Sequence, residues 1–296
     1  MEKTIYALGF FDGVHLGHRA LLSQCRRIAS ERRCQAGAVT FGSHPDQLVF
    51  GKAPVLINTP ADRERLLLRD MDRVVTLPFD EKMHTTPWED FLELLRRDYG
   101  AAGFVCGDDF RFGSHGAGNG TLLEAYCRRE GLPCALVPEQ SLHGTRVSST
   151  HIRALLEDGR MEEAVAFLGH PHMLTGTVIH GHQLGRTLGI PTANLPLPSG
   201  LAVPKFGVYA CLVELDGQRH PAVTNIGTRP TVHGQGITVE PWILRYDADL
   251  YGREITLEFY KFLRPERKFP SLEALQQEIR RNGEQTIDFF QKKSIL

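Results

Sequence analysis

The 296-residue sequence lacks the features that mark secreted, membrane-bound and nucleic-acid-binding proteins. No stretch approaches the roughly 18–20 apolar residues that cross a bilayer. The first residues lead directly into a predicted strand, without the long apolar region of a signal peptide. Because 34 lysines and arginines are balanced by 35 acidic residues, there is no overall positive field to attract nucleic acid. We therefore expect a cytoplasmic protein that binds neither membrane nor nucleic acid.

Two further absences narrow the chemistry. The six cysteines form no C-x-x-C pair and have no regular spacing, which is typical of reduced thiols in a core rather than of disulfides. The sequence contains no G-x-x-x-x-G-K-[ST] loop, so any site for ATP must be built differently. The length of the chain predicts two domains.

The first half alternates short apolar strands with helical patterns. Such alternation predicts a parallel sheet with helices on both faces, whose ligands bind beyond the carboxyl ends of the strands. Thr86 and Pro87 predict the start of one helix, with Thr86 as its cap. The predicted strands are Ile5–Phe10, Ala36–Phe41, Arg73–Leu77, Phe104–Cys106 and Cys134–Val137.

The pattern changes near Gly169, after which short β-like segments follow one another. Asp216-Gly217 predicts a tight hairpin turn, and Ser271 predicts the cap of a closing helix. Together they predict a small antiparallel β-barrel with a closing helix. We expect domains at 1–165 and 172–296. The predicted strands are Leu174–Ile179, Val208–Leu215, Arg219–Ile226, Ile237–Tyr246 and Ile255–Phe262.

The stretch Gly9–His18 is the most informative segment, and we call it the histidine motif. It places two glycines and two histidines between a strand and an amphipathic helix predicted at Arg19–Ala29. A helix N-terminus offers unpaired N–H groups and positive potential, and glycine allows close backbone approach. His15 and His18 can face one bound group. The motif therefore predicts a phosphate site.

Three more segments end predicted strands or begin helices on the ligand side. They are Thr40–Pro45, Gly107–Gly113, which leads into a glycine-rich loop, and Arg146–Arg153. Hydroxyls and arginines at a helix start also suit phosphates. Taken alone, each could also be a surface loop or a capped helix.

With the histidine motif, these segments resemble the N-terminal module of the bacterial bifunctional riboflavin kinase/FAD synthetases. The resemblance implies a Rossmann-like nucleotidyltransferase domain that transfers AMP from ATP to FMN. It implies that Arg146, Ser149 and Arg153 hold the leaving pyrophosphate, and that His15 and His18 contact the ATP phosphates. The residues it implies at this site are Gly9, Phe10, Phe11, Asp12, Gly13, His15, Gly17, His18, Asp109, Arg146, Ser148, Ser149, Thr150 and Arg153.

The second half carries a turn-rich segment, Gly176–Asn194. If that segment is extended, Thr192 and Asn194 point to one side, and their oxygens suit Mg²⁺. A polar turn is an equal alternative, and spacing alone does not decide whether Glu240 is functional. The segment resembles the riboflavin kinase module, which implies Thr192 and Asn194 at Mg-ATP and Glu240 as general base. The implied ATP and flavin contacts are Gly181, Gly185, Arg186, Pro191, Thr192, Asn194, Glu240, Tyr251 and Arg264.

The resemblance covers nearly the whole chain. It implies a bifunctional enzyme that converts riboflavin to FMN and FMN to FAD, with ATP as co-substrate, Mg²⁺ as cofactor, and a monomeric or weakly self-associating state. One departure is Pro241-Trp242 directly after Glu240, where proline favours an edge or a bulge. Two alternatives stay open: a nucleotidyltransferase for another small phosphate, and a flavin-storage protein with inactive sites.

Overall fold

The computed structural model of the chain describes residues 2–180, 189–231 and 234–295. Its internal contacts divide the chain into two compact units. The first unit comprises Met1–Leu56 and Pro60–His151, and the second comprises Ile57–Thr59 and Ile152–Leu296. No helix in the described ranges has both the length and the apolar composition of a bilayer-spanning segment.

The first unit contains a five-stranded, all-parallel sheet with the strand order β3-β2-β1-β4-β5. The prediction of a parallel sheet is confirmed, and each predicted strand is present with ends shifted by no more than a few residues. A two-residue hairpin, β6 with β7, follows the sheet. The strands are β1 Thr4–Leu8, β2 Gln35–Phe41, β3 Arg73–Leu77, β4 Ala101–Gly107, β5 Cys134–Val137, β6 Ser141–Leu142 and β7 Thr145–Arg146.

The central strand β1 is buried along its whole length because helices cover both faces of the sheet. On one face α5 and α6 share a core with Tyr6 and Leu8. The helix α1 packs against β1 and β2 through other buried residues, among them Leu22 and Cys25. The helices of the first unit are α1 Leu16–Arg32, α2 Pro45–Val49, α3 Pro60–Leu68, α4 Glu81–Thr85, α5 Trp88–Tyr99 and α6 Gly120–Glu130. The helix α7 Ser149–Asp158 begins in the first unit and continues in the second, and α8 Met161–Leu168 belongs to the second unit.

The predicted cap of α5 is wrong. Pro87, not Thr86, precedes the first helical residue, and no side chain caps the helix. Thr86 instead belongs to the end of α4, where its Oγ1 donates to the carbonyl of Lys82 at 2.6 Å. The hydroxyl that the sequence assigned to the start of one helix is used at the end of the preceding one.

The second unit is a near-closed antiparallel barrel with the strand order β8-β13-β10-β11-β12-β9. A backbone hydrogen bond of 2.9 Å from Ile179 N to Asn194 O joins the segment after β8 to the segment before β9. The short strand β9 was not predicted, whereas the five others were. The strands are β8 His172–Thr177, β9 Leu195–Pro196, β10 Gly207–Leu215, β11 Gln218–Thr231, β12 Gly234–Ile243 and β13 Glu254–Pro265.

The predicted hairpin turn and the predicted helix cap of the second unit are both confirmed. Asp216 and Gly217 connect β10 to β11 with φ values of 52° and 75°, the left-handed conformations of a type I′ hairpin turn. The closing helix α9, Leu272–Lys292, begins where Ser271 Oγ accepts a hydrogen bond from Ala274 N at 3.2 Å. It packs on β10 and β11, with buried Phe290 against Ala210.

Candidate active sites

The histidine motif is a strained turn between β1 and α1. Phe11, Gly13 and Val14 all have positive φ values, of 60°, 79° and 40°. A β-branched residue such as Val14 rarely adopts this conformation, and such strain concentrates at functional sites. Gly17 also packs closely, because a Cβ at this position would lie 3.2 Å from the His15 ring. The turn therefore holds its backbone close to a helix N-terminus.

The two histidines of the motif stack on each other. Their ring centroids are 3.6 Å apart with an angle of 11° between the planes. His15 caps α1, since its Nδ1 accepts the backbone N–H of His18 at 3.3 Å, and the ring is only 7% exposed. The prediction that both imidazoles can face one group is consistent with this stack.

The surroundings of His18 favour the neutral form of its imidazole. Burial is the main cause that holds its pKa well below the ordinary value, and the neighbouring His15 and Arg63 lower it further. Its Nδ1 is shielded from solvent and has no hydrogen-bond partner among the described residues. The neutral imidazole therefore has unused hydrogen-bonding capacity at the end of β1.

Two other predicted segments contact the histidine motif. Ser149 Oγ donates to the carbonyl of Asp12 at 2.9 Å, and Thr40 Oγ1 donates to the carbonyl of Phe10 at 2.8 Å. These bonds bring the ends of β1 and β2 and the start of α7 to one place. The sequence predicted each of these segments as part of a phosphate site, and the structure brings them together.

Arg146 is an exposed cation that already has two acidic partners. Its guanidinium contacts Asp109 Oδ2 at 3.0 Å and also Glu139. Ser148 Oγ accepts a hydrogen bond from His151 N at 3.3 Å, which caps the following turn. Thr150 lies with them in the first unit, whereas Arg153 belongs by its contacts to the second unit.

An aromatic cavity of about 390 Å³ lies in the first unit, and the sequence analysis did not predict it. Its volume falls within the range of small-molecule sites. Half of the lining belongs to segments that the sequence analysis singled out: Phe10 from the histidine motif, Phe41 and Pro45 from Thr40–Pro45, and four residues of Gly107–Gly113. The cavity is lined by Phe10, Phe41, Pro45, Val49, Phe79, Met83, His84, Phe91, Phe110, Arg111, Phe112, Gly113, His115 and Gly116.

Arg63 was also missed. It lies on α3, is only 1% exposed, and donates to the carbonyl of Phe41. Burial lowers its pKa to about 10, against a smaller opposing effect of Asp12. The available signal was its position three and four residues before Leu66 and Leu67, which places a cation on the buried face of an amphipathic helix.

In the barrel, alternate residues of β12 line two different cavities. Glu240 and Trp242 line a cavity of about 610 Å³, which we call the second barrel cavity. Pro241 and Ile243 line another of about 530 Å³, the first barrel cavity. This follows from the period of a strand, in which successive side chains point to opposite faces.

Thr192 lines both barrel cavities, and Asn194 lines the second. Ala193, between them, is buried and donates its N–H to the carbonyl of Pro241 at 2.9 Å. The predicted alternation is therefore present: Thr192 and Asn194 share a cavity with Glu240. Glu240 lies opposite Asn225 in the β11–β12 register.

The second barrel cavity has a charged and amide-lined end. Arg264 donates from Nε to Asn282 Oδ1 at 3.0 Å and lies 3.4 Å from Glu278. Its guanidinium also lies over the ring of Phe269, 5.4 Å from the centroid. Asn282 is 1% exposed, so this amide is fixed within the wall. Arg264, one of the contacts that the resemblance implied, therefore lines this cavity.

The first barrel cavity contains two more of the predicted residues, Pro191 and Tyr251. The Tyr251 ring stacks on His180 with centroids 3.8 Å apart. Gly181, Gly185 and Arg186 lie outside the described residues. Within the described ranges, no group of three or more His, Cys, Asp or Glu side chains could hold a metal ion.

Pro241 does not introduce a bulge. It pairs with Thr224 in an unbroken register, and its carbonyl still accepts a bond from Ala193. Trp242 packs with Val208, Val223 and Leu244 while one side lines the second barrel cavity. The departure after Glu240 therefore leaves the strand regular.

Two family models and several curated proteins match the sequence of this chain. A family model for FAD synthetase matches residues 1–151, and one for riboflavin kinase matches residues 168–290. Proteins named bifunctional riboflavin kinase/FMN adenylyltransferase from Listeria monocytogenes and Escherichia coli are 35% and 36% identical to the chain. Each alignment covers 98% of this chain and 93% of the relative.

The chain belongs to the bifunctional riboflavin kinase/FMN adenylyltransferase family. Its FAD synthetase domain is N-terminal and its riboflavin kinase domain is C-terminal, as the sequence predicted. Riboflavin, FMN, FAD and ATP fit these activities as substrates and products. The reading as a nucleotidyltransferase for another small phosphate leaves the riboflavin kinase match unexplained.

A solved structure is similar to this chain over nearly its whole length. It is titled a macrolide-efflux protein from Streptococcus pneumoniae, and it matches with a TM-score of 0.85 and 29% identity. The match covers 96% of this chain and 94% of the other. The family models and the curated relatives, rather than that title, identify the family of this chain.

Proposed function

We propose that the kinase reaction takes place across Thr192, with riboflavin in the second barrel cavity and ATP in the first. The observation that carries this assignment is the alternation of β12, which puts Glu240 in the cavity that Thr192 and Asn194 also line. Glu240 takes the proton of the ribityl 5′-hydroxyl as its oxygen attacks the γ-phosphorus of ATP. The new P–O bond gives FMN, and ADP leaves.

The side chains around Thr192 also suit Mg²⁺. Thr192 and Asn194 offer hard oxygen donors on one side of an extended segment, and nucleotide phosphates would supply the remaining ligands. When bound, the ion neutralises charge on the phosphate oxygens. The residues' own work is to hold the phosphates beside Glu240 and to orient the hydroxyl. Pro191 and Tyr251 form the wall of the ATP cavity.

For the adenylyltransferase reaction, we assign FMN to the aromatic cavity and ATP to the histidine motif. Several phenylalanine rings suit a flat isoalloxazine, and Phe10 belongs to both the cavity and the motif. A phosphate oxygen of FMN attacks the α-phosphorus of ATP in line, and pyrophosphate leaves without a covalent enzyme intermediate. The neutral His18 and the helix N-terminus hold the phosphate oxygens.

The family resemblance supports Arg146, Ser149 and Arg153 as the residues that hold the leaving pyrophosphate. For this, Arg146 exchanges its contacts with Asp109 and Glu139 for phosphate oxygens. The turn beside the phosphates is shaped by Gly9, Asp12, Gly13 and Gly17. The domain bounds 1–165 and 172–296, the cytoplasmic location and the monomeric or weakly associating state remain predictions.

Chromatography of the flavins tests the proposal. Purified protein is incubated with ATP, Mg²⁺ and either riboflavin or FMN, and pyrophosphate is measured in parallel. We expect FMN and FAD from riboflavin, with one pyrophosphate released for each FAD. Formation of neither flavin, despite tight flavin binding, would instead favour a storage protein. The same reactions without Mg²⁺, or with Ca²⁺ in its place, test the metal requirement.

A further inference from the structure

Arg63 is the least satisfied charged group of the first unit. Its side chain is 1% exposed, and of its guanidinium nitrogens Nε and Nη1 have no hydrogen-bond partner among the described residues. Burying a cation with so few partners is costly, and an apolar side chain of similar size is often equally stable or more stable at such a place. Stability alone is therefore a poor explanation for an arginine here.

Arg63 interacts electrostatically with Asp12 and His18 of the histidine motif, and its direct contacts lead to the aromatic cavity. Its guanidinium carbon lies 4.2 Å from the centroid of the Phe10 ring, a cation–π distance, and it donates to the carbonyl of Phe41. Both phenylalanines line the cavity, and they end the neighbouring strands β1 and β2. One buried cation thus joins two walls of the cavity that come from separate strands.

The chain of contacts continues to a third wall. The Phe10 ring also contacts His44, with ring centroids 4.6 Å apart in an edge-to-face arrangement. His44 caps α2, with its Nδ1 accepting the N–H of Asp46 at 3.2 Å, and α2 supplies Pro45 and Val49 to the cavity. Successive contacts from Arg63 to Phe10 and from Phe10 to His44 therefore connect α3 to the start of α2.

We propose that Arg63 is a positioning residue for FMN in adenylyl transfer: it holds Phe10 and Phe41 in the places that a bound isoalloxazine requires. Arg63 itself is too buried to contact FMN in this arrangement. The inference rests on the proposed assignment of FMN to the aromatic cavity. The Arg63 cation restricts the motion of the Phe10 ring, which belongs to the histidine motif and lines the cavity. Loss of Arg63 should therefore weaken binding of the flavin.

Steady-state kinetics of FAD formation by the full chain tests this role, with FMN and ATP varied separately. For Arg63→Met we expect KM for FMN to rise about tenfold or more. KM for ATP should stay within about twofold, and riboflavin kinase activity of the same preparation should be unchanged. Arg63→Lys keeps the charge and should restore KM for FMN part of the way. Arg65→Met, an exposed arginine of the same helix, is the matched control.

A thermal melt of the same variants separates positioning from stability. We expect Arg63→Met to melt at or above the temperature of the native protein, because it removes a poorly paired buried charge. A lower melting temperature with an unchanged KM for FMN would show a structural role and overturn the inference. An equal rise of KM for FMN and for ATP would overturn it as well.

A further variant distinguishes failure of this inference from failure of the FMN assignment. Phe79 lines the cavity and packs on Phe41 with ring centroids 5.2 Å apart. If Phe79→Ala raises KM for FMN and Arg63→Met does not, the cavity binds FMN and only the role of Arg63 is wrong. If neither variant changes KM for FMN, the assignment of the cavity itself is wrong, and the inference falls with it.

Discussion

The two active sites of this chain are built in opposite ways. The N-terminal site gathers around a single ten-residue turn, in which strained backbone, a helix N-terminus and two stacked imidazoles follow one another along the chain. The barrel site gathers side chains from residues 192 to 282, and its arrangement depends on the register of antiparallel strands. A backbone site tolerates little change of conformation, whereas a site on strands depends on single side chains.

Glu240→Gln should show the largest effect, because the proposed kinase reaction relies on this one carboxylate for proton transfer. Amide replacement keeps the shape and removes the base, so we expect FMN formation from riboflavin to fall by about 10²–10⁴-fold. FAD formation from supplied FMN should not change. Glu254→Gln, on the exposed end of β13, is the control. Kinase activity near that of the native protein would contradict the role of Glu240.

His18→Ala should produce the reciprocal result at the other site. Removal of one donor to a phosphate oxygen costs about 10²–10³-fold in rate, so FAD formation should fall by this factor while FMN formation persists. The comparison is sharpest when both reactions are measured on one preparation. The exposed His143, replaced by Asn because its φ is positive, serves as control. Loss of both activities would mean that the sites are not independent.

Truncation tests whether the barrel site needs elements outside its sheet. The helix α8 packs on β8 and β13 with Phe167 and Leu168 buried, and Lys261 pairs with Glu162 at 3.7 Å. A fragment 152–296 should therefore be more stable than 172–296 by about 2–3 kcal/mol, since burial of one such side chain contributes about 1.5–3 kcal/mol. Urea unfolding measures the difference. Equal midpoints would support the domain start at 172.

Acid should weaken the N-terminal unit, with a smaller effect than the substitutions above. The pKa of His18 is lowered in the folded state, so below pH 6.5 the unfolded chain binds the proton more readily. The stability that the neutral ring provides is complete above pH 6.5 and is lost as the pH falls. The urea midpoint of Trp88 fluorescence, in a Trp242→Phe background, should fall from pH 7.5 to 5.5.

His18→Asn should make that fall smaller, because asparagine has no proton to bind. His143→Asn in the same background is the control for a histidine outside the motif. An equal loss of midpoint in the native chain and in His18→Asn would show that other groups cause the acid sensitivity.

The sequence predicted the structural features that depend on residues close together in the chain. The strands of both sheets, the Asp216-Gly217 turn and the Ser271 cap follow from apolar periodicity and from residues with a few backbone conformations. The histidine motif was recognisable because its residues are consecutive. The Thr86 cap failed because two helices lie so close together that one hydroxyl could serve either of them.

Arg63, the aromatic cavity and β9 could not be predicted in the same way. Arg63 is forty-five residues from His18 in the chain, and only the fold brings them together. The cavity walls come from five separate elements and loops, and β9 is two residues long. Periodicity carries no information about which distant side chains meet.

The sequence by itself determined the two-domain plan, the succession of strands and helices along the chain, and the segments that carry phosphate chemistry. Each of these features is encoded within a few consecutive residues. Only the tertiary structure decided that Glu240 and Thr192 share a cavity, and that a buried Arg63 joins Phe10 to Phe41. Those relations depend on strand register and helix packing, which arise when the whole chain excludes water from its core.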